Sequence, residues 1–62
     1  MEKVTVSLEL TSAEAMALAQ FVKRIGWSEM RQCAVDDKEA YEISDSIATL
    51  QKALNESGYA PR

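Results

Sequence analysis

The chain has 62 residues, 27% of them charged, and a formal charge of −3, with a sequence pI near 4.7. That balance argues against nucleic-acid binding through bulk charge, which needs clustered Lys and Arg to displace counterions. A chain this short buries only about 60% of its unfolded surface. With one cysteine, Cys33, and no histidine, neither a disulfide nor a Cys/His zinc site can staple it from within.

Oligomerisation or a binding partner is therefore the expected source of extra buried area. The solitary cysteine favours a reducing compartment. Met1 is followed by charged residues rather than a secretory leader, and no apolar run reaches transmembrane length. The expected location is the cytoplasm, with no membrane association and no cofactor.

Residues 3–10, KVTVSLEL, alternate strictly, with Val4, Val6, Leu8 and Leu10 on one side and Lys3, Thr5, Ser7 and Glu9 on the other. The pattern predicts a half-buried strand. A lone strand leaves both edges unpaired, so the expectation is a two-fold ribbon in a homodimer, or else addition to the sheet edge of another protein. Thr11 and Glu14 have the spacing of a capping box and open a helix predicted over 12–25. Its apolar stripe of Ala15, Leu18, Val22 and Ile25 is widened by Met16, Ala19 and Phe21, which predicts packing on two sides. Lys23 and Arg24 suit the negative end of the dipole, and Gly26 is the expected left-handed C-cap.

Ser28 is the expected cap of a short helix over 28–35, with Met30, Cys33 and Ala34 on one face and Trp27 folded back over the first helix as an anchor. A last helix is predicted over 37–57. Asp36 and Glu39 have the capping spacing, and Ala40, Ile43, Ile47, Leu50 and Leu54 form a narrow seam. Gly58 closes that helix, Tyr59 is placed to contact Leu54 in a Schellman end, and Pro61 prevents continuation. The fold class expected is α+β, mostly α: one N-terminal strand, a helix, a short helix and a long C-terminal helix in a single domain over 1–62.

Catalysis finds little support, since the usual acid-base and nucleophile-activating pairs need histidine. Cys33, beside Met30 and Ala34, reads as a small buried hydrophobe. Asp36, Asp37 and Glu39 match no calcium-loop pattern and read as helix-start anions. Glu39, Glu42 and Asp45 form an acidic band that is either a solvated face or a mimic of nucleic-acid phosphate. The function expected is a small, acidic, non-enzymatic protein-binding module, a homodimer that occupies a surface of a host protein or nucleoprotein complex. Trp27, Tyr41 and Tyr59 are its contact aromatics, and Glu39, Glu42 and Asp45 meet basic residues of the partner.

Three resemblances accompany this reading. Strand, helix, Gly turn and a helix opening with Ser28-Glu29 resemble the order of ribbon-helix-helix repressors, and that resemblance implies base reading by Lys3, Thr5 and Ser7. VTVSLELT, AEAMALAQFVKRIGWSEMR, AVDDKEAY and GYAPR resemble a small uncharacterised family of bacteria and their mobile elements, covering nearly the whole chain and implying no activity. In size and character the chain also resembles anti-CRISPR inhibitors of host defence, an analogy of type alone. An antitoxin-like subunit, folding fully only with its cognate protein, is a further alternative.

Overall fold

A computed structural model describes residues 2–59. They form three helices, α1 (Ser12–Arg24), α2 (Trp27–Cys33) and α3 (Asp37–Glu56), preceded by an extended N-terminal arm over residues 2–10. No strand forms among the described residues, which overturns the α+β class and the ribbon paired across a homodimer. Alternation decides which side chains share one side of an extended segment, but a ladder needs a second segment in register. This chain has no other stretch of that pattern.

The helix starts are fixed by side chains. Glu14 N–H donates to Thr11 Oγ1 at 3.1 Å and Thr11 N–H donates to Glu14 Oε1 at 3.0 Å, a reciprocal capping box. Gly26, not Ser28, caps α2, and its N–H donates to Glu29 Oε1 at 3.2 Å. At α3, Glu39 N–H donates to Asp36 Oδ1 at 2.8 Å, while Glu39 Oε1 reaches past the cap to accept from Val35 N–H at 3.1 Å. Arg31 links the two last helices, donating from Nε to Asp37 Oδ1 at 2.6 Å and from Nη1 to the Ala34 carbonyl at 3.1 Å. This ion pair is exposed, so its contribution is at most about 1 kcal/mol.

The last helix is the hub, because α3 packs on both α1 and α2. Ala19, Val22 and Leu54 form the core cluster, with Leu18, Ile47, Leu50 and Tyr59 against it. Ala40 and Leu54 of the predicted seam are buried, and Ile43, Ile47 and Leu50 are half-buried. The first helix packs on one side only, since Met16 and Phe21 remain exposed. Gln51 Nε2 ties α3 to α1 by donating to the Val22 carbonyl at 3.2 Å.

The left-handed glycine is Gly58, with φ of 93°, whereas Gly26 has an ordinary φ of −104°. Around Gly58, Tyr59 N–H donates to the Leu54 carbonyl at 2.9 Å and Gly58 N–H to the Asn55 carbonyl at 3.0 Å, the two bonds of a Schellman end. Pro61 lies outside the described residues. Gly58→Ala is expected to lower stability by about 1–3 kcal/mol, the cost of a side chain in that region of φ. An added Cβ there meets nothing within 4 Å, so the cost is conformational rather than steric. Gly26→Ala is expected to be near neutral. Thermal melts of the two variants check the contrast, and equal melting temperatures would contradict it.

Candidate protein-docking surfaces

Two exposed surfaces stand out, at opposite ends of the exposed side of α3. The first is aromatic and acidic. Trp27 opens α2 and Tyr41 lies in the second turn of α3, and their ring centroids are 4.8 Å apart with the planes tilted by 43°. Trp27 is 43% exposed and Tyr41 63%, so Trp27 is not a core residue, and the ring it meets is that of Tyr41 on α3. One turn further along α2, Met30 is that helix's buried residue, and α2 packs on α3.

Tyr41 and Asp45 are one turn apart, and Glu42 adjoins them. All three are exposed. Lys38 lies beside them and leaves the stretch net acidic. Among the described residues the one ion pair is Arg31–Asp37, so the Glu42 and Asp45 carboxylates belong to none. Glu39 differs, being half-buried with one oxygen held by Val35 N–H. Tyr59 differs too. It packs on the core cluster, and its hydroxyl lies 3.1 Å from Ser12 Oγ, so it works within the fold at the other end of α3.

The second surface is the side of the arm bearing Val4, Val6, Leu8 and Leu10, which faces the helices across a groove of about 750 Å³. The opposite wall includes Ser46, Thr49, Leu50 and Ala53 of α3. The Ser46 hydroxyl donates to the Glu42 backbone carbonyl at 2.8 Å and that of Thr49 to the Asp45 carbonyl at 3.2 Å. Both hydroxyl protons are thus committed within the helix, which lowers the cost of covering this face. Among the described residues no charged side chain lines the groove. Sequence reasoning did not single out this wall, although small residues at positions 46, 49 and 53, beside the Ile and Leu seam, were a signal for it.

The remaining sequence candidates are dispersed. Lys3, Thr5 and Ser7 are exposed on the arm, without the paired strands that base reading in a ribbon-helix-helix protein requires. Cys33 is exposed, not buried. Asp36, Asp37 and Glu39 each hold a capping or ion-pair contact, and among the described residues no three His, Cys, Asp or Glu side chains are grouped to hold a metal ion. No helix of the described residues is long and apolar enough to cross a membrane.

A family model, described as a family of unknown function (DUF7706), matches residues 1–62. The chain belongs to that family. No curated protein and no solved structure matches it. DUF7706 membership accounts for the whole length of the chain as one family unit. Membership of DUF7706 implies no activity.

Proposed function

We propose that the chain is a non-enzymatic protein-binding module, acting as a homodimer, that docks on a basic surface of a larger protein or nucleoprotein assembly. The observation that supports it best is the Trp27–Tyr41 pair, held together on the surface beside Glu42 and Asp45. Tryptophan and tyrosine are the residues that most often dominate binding energy at interfaces, and carboxylates outside any internal ion pair are free to select a cationic partner. The net charge of −3 adds a long-range attraction to such a surface, one that salt weakens.

The test is capture from nuclease-treated bacterial lysate by the tagged chain, compared with the double variant Glu42→Lys, Asp45→Lys. The wild type is expected to retain a stoichiometric partner, with affinity for it falling at least about tenfold in the variant because like charges then face each other. Circular dichroism of both proteins checks that the helices persist. Equal retention by the two would exclude the acidic face as the docking surface. An empty capture that yields DNA once nuclease is omitted would replace this function with nucleic-acid binding.

A further inference from the structure

Alternation along residues 3–10 sorts the arm into an apolar side and a polar side, a division that gains free energy only when the apolar side is covered. Val4, Val6, Leu8 and Leu10 line the groove on α3, yet they are 84%, 74%, 59% and 41% exposed. Exposure rises steadily with distance from Thr11, as it does along a stiff rod pivoted at one end and held off a surface at the other. The stiffness is local in origin. Residues 2–10 contain neither glycine nor proline, and the β-branched Val4, Thr5 and Val6 favour extended backbone. The pivot is local too. The capping box holds Thr11 to Glu14, whereas among the described residues no backbone–backbone hydrogen bond involves residues 2–10. Freedom to turn therefore begins at Leu10.

We propose that the arm is a strap that closes on the groove of its own chain, turning about Leu10 until Val4, Val6 and Leu8 rest on Thr49, Leu50 and Ala53 of α3. The contact is side-chain burial on a helical face and involves no sheet. Lys3, Thr5, Ser7 and Glu9 stay on the outer side, in water. Neither wall opposes closure. The groove is lined by no charged side chain among the described residues, and the Ser46 and Thr49 hydroxyls already donate to the Glu42 and Asp45 carbonyls. Covering this face therefore strands no charge and no hydroxyl donor.

The tether selects this occupant. A segment joined to α1 at Thr11 meets the groove at an effective concentration on the order of millimolar, without the loss of translational freedom that association from solution costs. A second copy has to arrive from dilute solution against the repulsion between chains of −3 each. A foreign apolar segment has to displace the strap before it can bind. Closure thus withdraws the groove from partners and leaves the aromatic and acidic surface around Trp27 and Tyr41 as the open one.

Methyl NOE spectroscopy on the full chain tests closure, with Val4 and Val6 as the diagnostic residues because they are the most exposed of the four. The expected result is NOEs from their methyls to those of Thr49, Leu50 or Ala53 in uniformly labelled protein. The same NOEs are expected to be missing from an isotope-filtered experiment on mixed labelled and unlabelled chains, which detects only contacts between copies. In Leu8→Asp, which places a charge against the groove, the Val4 and Val6 NOEs are expected to be lost while the helical circular dichroism is unchanged. Position 8 lies outside every helix, so that loss is not loss of fold. Val4 and Val6 without NOEs to α3 would overturn the strap, and so would NOEs that Leu8→Asp leaves intact. NOEs that survive isotope filtering would overturn it in favour of contact between copies.

Discussion

Leu54→Ala is expected to remove about 2–5 kcal/mol of stability, the range for truncating a buried leucine in a core that cannot fully collapse. Against the roughly 3–9 kcal/mol available to a domain of this size, that leaves the variant marginal or unfolded at room temperature. Leu54 joins α3 to Ala19 and Val22 of α1, and Tyr59 folds over the same cluster. Its loss therefore loosens the helix pair and the C-terminal turn together. Alanine is the best helix former, so the change in stability measures packing and not helix propensity. Urea unfolding followed by far-UV circular dichroism is the measurement. A midpoint as high as that of Phe21→Ala, an exposed control, would show that Leu54 is not part of the core.

Met30→Ala is expected to cost a similar amount, about 2–5 kcal/mol, with a local signature. Helix α2 has seven residues and Met30 is its buried residue, while a helix so short is unstable without tertiary contacts. Undocking α2 separates Trp27 from Tyr41, so the variant's tryptophan emission is expected to shift to the red at lower urea than its circular dichroism changes. Coincident transitions at the wild-type midpoint would mean that Met30 does not hold α2 in place.

Much of this arrangement is written locally. Thr11 with Glu14, Asp36 with Glu39, and Gly58 with Tyr59 mark helix ends through bonds that span only a few residues, and each acts in the structure where its spacing places it. The two ends that read differently meet where α1 passes into α2: the link is Ile25 and Gly26, and Ser28 already lies in the first turn of α2. There a glycine serves either as the end of one helix or the start of the next, and Glu29 decides for the start by accepting from Gly26 N–H. Val4 through Leu10 illustrate the limit of periodicity, since alternation is equally compatible with a strand and with an arm that has no ladder. Trp27 shows another. Its size suggests a core position, but α2 turns it toward α3 and leaves it tilted against Tyr41.

The candidate site was legible as residue types and not as a place. Trp27, Tyr41, Glu42 and Asp45 stand out by chemistry, and α3 brings them together once α2 has docked. Tyr59 and Glu39 have the same chemistry but are engaged inside the fold, Tyr59 on the core cluster and Glu39 at a helix start. The groove wall of Ser46, Thr49 and Ala53 is built of small residues with modest individual signals, and its apolar character depends on hydroxyl protons turned back to the helix.

The central claim, that the aromatic and acidic face of α3 is where a partner binds, is tested most directly by photocrosslinking in cells from a reactive residue at position 41, compared with one at Ala17 on the outward side of α1. Both positions are exposed, so accessibility to the crosslinker does not separate them. The expected result is a single protein joined through position 41, absent from the Ala17 probe and suppressed by Glu42→Lys with Asp45→Lys. Crosslinking of the same protein from both positions, or from Ala17 alone, would contradict it.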